Sequence, residues 1–246
     1  MTSQRKTALV AGVLFIVTFV TAIAGWVLYG PVLNHANYIT SAGADSRVLL
    51  GALFEMLLIF ANIGTAVVLF PILKWQSEGL ALGYVTARLV ECGFIAVGIL
   101  SLLAVVTLRQ DVGGTADAGS LVTVGRSLVA VHDWTFLLGP GFVVGVGNGL
   151  LLGYLMYRSG LVPRGMAMLG LIGGPLVCAS GIAVLLGLID RGSAFQAIAT
   201  IPEFAWEASL GIYLTVKGFR RSPITAGDTR TVVDDHGSRA LAPAVG

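Results

Sequence analysis

The chain has 246 residues, of which 56% are hydrophobic and only 11% charged, and its formal net charge is +2. A soluble domain has about 25% charged residues, and a soluble fold could not bury this much apolar surface. The few basic residues stand in ones and twos and form no face for a phosphate backbone, which argues against nucleic acid as a partner. The composition predicts one all-α integral membrane domain.

Six stretches of the sequence have the roughly 20 apolar residues that a helix needs to cross a bilayer. The first, Ala8 to Tyr29, is longer than the apolar part of a signal peptide and ends without a small-residue cleavage site, so we expect it to be retained. The five others are Val48 to Leu73, Gly79 to Leu108, Trp134 to Tyr157, Gly165 to Ile189 and Ala194 to Phe219.

The connections and the tail complete this organisation. The longest connection, Arg109 to Val131, starts as a polar, glycine-rich stretch, and Leu121 to Val131 is predicted to be an interfacial helix that leads into the fourth span. After Arg221 the sequence has no long apolar run. We therefore expect a six-helix membrane domain over residues 1–221 and a disordered cytoplasmic tail over 222–246.

The basic residues predict the direction of the spans. With the N-terminus inside, the cytoplasmic flanks hold eight basic residues: Arg5, Lys6, Lys74, Arg158, Arg164, Lys217, Arg220 and Arg221. The opposite loops hold four, namely Arg47, Arg109, Arg126 and Arg191. Because basic residues accumulate on the cytoplasmic side, both termini are predicted to be cytoplasmic.

The fourth span has glycine at every fourth position, which places these residues on one stripe of a helix. They are Gly141, Gly145, Gly149 and Gly153. Such a stripe lets a neighbouring helix approach closely, so we predict a packing seam; a groove that contacts a ligand is the alternative. Pro140 should kink this helix near Phe136. In the sixth span, Ser193 and Gln196 fit a capping box, and Pro202 should bend the helix beside Glu203.

Five charged side chains fall inside the predicted spans: Glu55, Arg88, Glu91, Glu203 and Glu207. At 1.5 Å per residue from the cytoplasmic boundary, Arg88 and Glu207 lie ~15 Å deep, near the midplane, and Glu55 lies ~28 Å deep. Asn62 and Asn148 fall near the middle level. A charge at a helix centre facing lipid costs ~2.5 to 3.5 kcal/mol or more, so all five should converge inside the bundle.

Arg88 is the only cation among four buried glutamates. Some glutamates must therefore be protonated, or the cavity is wet, or a cation occupies it. One hypothesis is a polar cavity that binds or transports a small polar molecule, a cation or a proton. The other is a non-catalytic structural or accessory membrane subunit, in which salt bridges set the helix register. The candidate site residues are Glu55, Asn62, Arg88, Glu91, His132, Asp133, Glu203 and Glu207.

The sequence disfavours an enzyme. A zinc hydrolase needs several histidine or acidic ligands, but only His132 falls near the membrane, since His35 is predicted in a loop and His236 in the tail. No nucleophile triad spacing and no phosphate-binding glycine loop is present, and we predict no catalytic residue, metal or cofactor. Cys92 and Cys178 lie in apolar segments, which excludes a secreted-type disulfide framework and leaves an intramembrane bridge as an alternative.

Several fragments together resemble a known family. They are Arg5-Lys-Thr-Ala, Leu49-Leu-Gly-Ala-Leu-Phe-Glu55, Glu78-Gly-Leu-Ala-Leu-Gly-Tyr84, Arg88-Leu-Val-Glu91, Asp133-Trp-Thr-Phe-Leu-Leu-Gly-Pro140, Leu161-Val-Pro-Arg164 and Val216-Lys-Gly-Phe219. From about Thr2 to Arg220 the chain resembles the bacterial domain of unknown function family 4386. The resemblance implies a multi-pass protein of the bacterial plasma membrane with no assigned activity. Glu55, Arg88, Glu91, Asp133 and Glu207 coincide with the family's motif-bearing stretches, whereas Glu203 matches less clearly.

Overall fold

The computed structural model describes residues 3–35, 37–41, 45–112 and 117–224, and this part of the chain contains helices and no strand. The α-helices are α1 (Ser3–Leu28), α2 (Gly30–Asn34), α3 (Asp45–Leu73), α4 (Glu78–Val112), α5 (Ala118–Phe136), α6 (Gly153–Ser159), α7 (Arg164–Leu185) and α8 (Ala194–Val216). The all-α prediction is confirmed for these residues. Residues 225–246, most of the predicted tail, lie outside the described ranges.

Within the described ranges, five helices are long and apolar enough to cross a membrane: α1, α3, most of α4, the stretch Ala118–Ser159, and α7. The predicted sixth span, α8, is not among them, although its 23 residues are long enough. Gln196, Pro202, Glu203 and Glu207 lower its mean hydropathy. The structure therefore shows a helical protein with five candidate spans.

The fourth candidate span is one continuous helix, Ala118–Ser159, which we call the long helix. It consists of α5, two π-helical segments (Leu137–Val143 and Gly145–Leu152) and α6. The segment Leu121 to Val131, predicted as an interfacial helix, is the first part of this helix. The Asp117 carboxylate caps its start by accepting from the Ser120 backbone N–H at 2.9 Å, and the bonds from Ser120 hold the pKa of Asp117 below its usual range.

Pro140 lies where the long helix changes geometry. Proline has no N–H to donate to the preceding turn, and from Leu137 the helix widens into π turns, so that the Val144 N–H reaches the Gly139 carbonyl five residues back. Such wide turns accommodate a break in the ordinary bonding ladder. The disturbance that the sequence predicts near Phe136 takes this form.

The start of α8 differs slightly from the predicted capping box. The Ser193 hydroxyl accepts from the Gln196 N–H, as expected for an N-cap. The Gln196 side chain, however, accepts from the Gly192 N–H at 2.7 Å, one residue before the position that a capping box uses. Both side chains therefore stabilise the helix start.

Six helices, namely α1, α3, α4, the long helix, α7 and α8, form a closed ring in chain order. α1 packs on α3, α3 on α4, α4 on the long helix, the long helix on α7, α7 on α8, and α8 returns to α1. At the end of the bundle where α1 begins, the buried core includes Phe15, Leu69, Tyr84, Leu155 and Trp206. We call this the Arg5 end and the opposite one the Arg191 end. Cys92 and Cys178 are free thiols.

Ion pairs and hydrogen bonds define the two ends. At the Arg5 end, the Arg5 guanidinium donates to the carbonyls of Leu214 and Thr215 at 2.9 and 2.8 Å, which ties the start of α1 to the end of α8. At the Arg191 end, Arg191 donates to the Asp133 carboxylate at 2.6 Å. The start of α1 and the end of α8 therefore lie at the same end of the bundle.

The outer surface of the ring is apolar on every long helix. Trp26 of α1, Phe60 of α3, Leu100 of α4 and Ile198 of α8 are each more than 60% exposed. Exposed apolar area on this scale is unusual for a soluble monomer and suits contact with lipid. Four charged side chains are buried on the inside of the bundle: Glu55, Arg88, Glu91 and Glu203.

Candidate functional site

The centre of the bundle holds a buried ion pair on α4. Arg88 is 2% exposed, and its Nη1 donates to Glu91 Oε2 at 2.7 Å. The amide of Asn62, on α3, donates to the other oxygen, Glu91 Oε1, at 2.9 Å. Both oxygens of Glu91 therefore have a partner, and the pair joins α4 to α3.

The same guanidinium faces α8 and the long helix. Arg88 Nη2 lies 3.8 Å from Glu207 Oε1, and the Asn148 side-chain amide donates to that same oxygen. Trp206, one residue before Glu207, donates from Nε1 to the Asn148 carbonyl at 3.0 Å. A continuous set of polar contacts thus links α3, α4, the long helix and α8.

Glu203 lies in this interior without a hydrogen bond. Its side chain is 2% exposed, and neither carboxyl oxygen has a partner among the described residues. The absence of side chains at Gly149 and Gly173 makes room for it, because a Cβ at either position would come within 2.7 or 2.9 Å of Glu203 Oε2. A buried carboxylate in this setting is stable only if it holds a proton or has a cation beside it.

We define the central cluster as Asn62, Arg88, Glu91, Asn148, Glu203 and Glu207. Three carboxyl groups and one guanidinium share this space, as the sequence predicts in outline. Arg88 Nε and Nη2 and Asn148 Oδ1 are also buried without a hydrogen-bond partner in the described part of the chain. Native buried polar groups are nearly always satisfied, so these atoms without a partner set the cluster apart from the rest of the interior.

Glu55 does not join the central cluster, which corrects the expectation that all five charges converge. It accepts from the Tyr29 hydroxyl at 3.0 Å, and the His132 ring meets the Tyr29 ring edge-on with centroids 5.6 Å apart. The separation follows from helix geometry: Glu55 precedes Asn62 by two turns of α3, about 10 Å along the axis. We call Tyr29, Glu55 and His132 the outer triad.

Asp133 lies closer to the surface than its neighbour His132. Its carboxylate accepts from Arg191 and lies 3.7 Å from His132 Nδ1. Asp133 therefore connects the outer triad to the polar end of the bundle and is not part of the central cluster.

Sequence reasoning missed several residues around these groups. Tyr29 and Trp206 are fully buried. Tyr29 donates to the Glu55 carboxylate, and Trp206 donates to the Asn148 carbonyl. A general signal could have found them, since a tyrosine or tryptophan inside a span needs a partner for its polar atom. Near the Arg191 end, Tyr38 donates to Asp45, which Arg109 also contacts. Burial and the bond to Asp45 raise the pKa of Tyr38 to about 12.

Three of the four glycines in the predicted stripe lie against α7. A Cβ at Gly145 would come within 2.7 Å of the Gly174 carbonyl. One at Gly149 would clash with the Gly174 backbone, and one at Gly153 would lie 3.3 Å from the Leu171 amide. Gly141 stands apart, because its Cβ would meet only Phe136 and Leu137 of its own helix.

Two openings lie near these groups. A cavity of about 300 Å³ at the Arg191 end is lined by His35, Tyr38, Arg126 and Asp133, among others. A mostly apolar groove between α4 and the long helix includes Gly83 and Val146 in its walls. Within the described ranges, no group of three or more histidine, cysteine or acidic side chains is placed to hold a metal ion.

The comparisons with known proteins give one match. A family model described as "Domain of unknown function (DUF4386)" matches residues 10–218, a range that runs from α1 to just beyond α8. No curated protein and no solved structure matches the chain. The geometry of the two polar groups is therefore the main guide to what the protein does.

Proposed function

The chain belongs to the DUF4386 family, and we propose that it is a six-span protein of the bacterial plasma membrane that binds and releases a proton at the central cluster. Proton exchange there would be coupled to the movement of a small polar molecule or a cation. The proposal has two parts, the topology and the chemistry of Glu203, and each has its own support and its own test.

The exposed face of α8 supports a sixth span. Mean hydropathy averages over both faces of a helix, and the two glutamates of α8 lower it. Those glutamates point into the bundle, whereas the outward residues Phe195, Ile198, Ile201, Phe204 and Ile212 are each more than half exposed. A helix with this division belongs in lipid with its polar face buried against other helices.

We expect labelling with a membrane-impermeant thiol reagent to give the N-in, C-in topology. In a variant lacking both native cysteines, Asn37→Cys and Leu188→Cys should react from outside the cell, whereas Trp75→Cys and Gly165→Cys should react only after permeabilisation. All four positions are exposed. The eight-to-four distribution of basic residues gives the direction, and the reversed pattern would contradict it.

The observation that carries the functional proposal is the unpartnered, buried carboxyl group of Glu203. A carboxyl group binds a proton without any further ligand, whereas a hard metal cation takes several oxygen ligands. The adjacent Arg88, Glu91 and Glu207 place further charges around it, so that a change in any one of them alters the preference of Glu203 for its proton. Proton binding at Glu203 and the ion pairs of Arg88 are thereby coupled.

We expect infrared spectra of the purified protein to contain the carbonyl band of a protonated carboxylic acid at neutral pH. The band should lose intensity as the pH is raised, and it should be absent in Glu203→Gln. Glu78→Gln, which alters an exposed glutamate at the start of α4, serves as the matched control and should keep the band. An unchanged band in Glu203→Gln would contradict the proposal.

The alternative, a structural or accessory membrane subunit, also has support. The contacts from Asn62 through Glu91, Arg88 and Glu207 to Asn148 join four helical segments, which would set their register. The pH series separates the two functions. A Glu203 band that does not change over the stable pH range would mean a permanently held proton and would favour the structural role.

A further inference from the structure

The outer triad is a second polar group inside the bundle, distinct from the central cluster. Glu55 and His132 are each 5% exposed and Tyr29 is fully buried. The Tyr29 hydroxyl donates to Glu55 Oε2. His132 Nδ1 is buried and has no hydrogen-bond partner within the described ranges, which leaves one polar atom of the triad unsatisfied.

Three glycines on three helices make the space for this group. A Cβ at Gly25 of α1 would lie 3.0 Å from Glu55 Cγ, and one at Gly51 of α3 would lie 2.8 Å from the Tyr29 ring. On α4, a Cβ at Gly98 would lie 3.4 Å from His132 Cδ2. The triad therefore fills a site where the surrounding helices approach without side chains.

Two acidic side chains lie close to His132. Glu55 faces it from α3 and Tyr29 from the end of α1, while Asp133 of its own helix lies 3.7 Å from Nδ1, with Arg191 bound on the far side of that carboxylate. From α4 it meets the backbone at Gly98. A proton taken up by the imidazole would thus lie between two carboxyl groups.

A cavity lies beside this site, although none of the three triad side chains lines it. The cavity of about 300 Å³ at the Arg191 end is lined by Asp133, the residue next to His132, and by His35 and Arg126, which are exposed. With the topology proposed above, this cavity opens to the outside of the cell. Histidine is the side chain whose charge ordinarily changes between pH 5 and 8.

We propose that the outer triad is a proton-binding site that equilibrates with the external medium through this cavity, with His132 as the group that takes up the proton and Glu55 as its counter-charge. Its role as the external entrance for protons that reach Glu203 rests on the proposed function. Glu55 lies about two helical turns from Asn62 on the same helix, which places the triad on the external side of the central cluster.

The test is the NMR signal of labelled histidine in proteoliposomes at fixed internal pH. His236→Asn leaves His132 and the exposed His35 as the labelled histidines. The His132 imidazole signals should follow the external pH. Glu55→Gln removes the counter-charge. In this variant the same response of the His132 signals should require an external medium more acidic by roughly one pH unit. The matched control is Glu78→Gln, the same change at an exposed glutamate that does not line this cavity, and it should behave like the parent protein.

Signals of His132 that do not change with external pH, or that follow the internal pH, would overturn the proposal. So would an unchanged titration in Glu55→Gln that is correctly folded by circular dichroism. The outcome is independent of the Glu203 infrared band. A responsive His132 without that band would refute the function of the central cluster and leave the outer site in place, whereas the reverse result would refute the outer site alone.

Discussion

Replacing Arg88 by alanine should destabilise the folded protein by about 3 to 5 kcal/mol, the usual cost of removing one partner from a buried ion pair. Glu91 would lose its 2.7 Å bond and Glu207 its nearest cation, while both carboxyl groups would stay inside the bundle. Unfolding in detergent, followed by circular dichroism, measures the loss. Arg126→Ala, which removes an exposed charge, should cost well under 1 kcal/mol.

The loss should depend on pH in a defined direction. Without Arg88, the unpaired carboxyl groups must take up protons for the chain to fold, and a protein that takes up protons on folding loses stability as the pH rises. The free energy of unfolding of Arg88→Ala should therefore fall further below that of the wild type at pH 8 than at pH 5. An equal deficit at both values would mean that protonation does not relieve the unpaired charge.

Second-site changes identify the main partner of Arg88. Adding Glu91→Gln to Arg88→Ala should recover more stability than adding Glu207→Gln, because Glu91 makes the shorter contact with Arg88 and is the more deeply buried of the two. If neither double variant is more stable than Arg88→Ala alone, the pairing seen in the structure does not account for the energetic role of Arg88.

Gly149→Ala should destabilise the bundle by about 1 to 3 kcal/mol through overpacking. Its Cβ would clash with the Gly174 backbone and come within 2.7 Å of Glu203 Oε2. Backbone cannot move aside as a flexible side chain can, so the long helix and α7 must separate. The midpoint of thermal unfolding in detergent measures the effect.

Gly93→Ala is the matched control for this change. Gly93 lies inside another helix, α4, but a Cβ there would meet nothing within 4 Å. Alanine favours a helix over glycine by ~1 kcal/mol, so this variant should be as stable as the wild type or slightly more so. Equal stability of both variants would show that the long helix and α7 do not pack closely at Gly149.

Much of the fold follows from the sequence because its signals are local. An apolar run of about 20 residues needs a membrane wherever it lies in the chain, and four-residue glycine spacing places a stripe on a helix without knowledge of its neighbours. The cost of a charge in lipid likewise predicts that Arg88 and the glutamates face inward. The family was predicted separately, from the resemblance of several sequence fragments, and the matched range confirms it.

The pairing of the inward-facing groups was decided only by the tertiary structure. Which glutamate meets Arg88 depends on the rotation and neighbours of four helical segments, and those are set by packing between residues far apart in sequence. Glu203 lacks a partner because Gly149 and Gly173, on two other helices, enclose it. Glu55 belongs to a different group because it lies two turns of α3 from Asn62 and accepts a hydrogen bond from Tyr29. Sequence periodicity describes one helix at a time, and a site built between helices exists only once their packing is known.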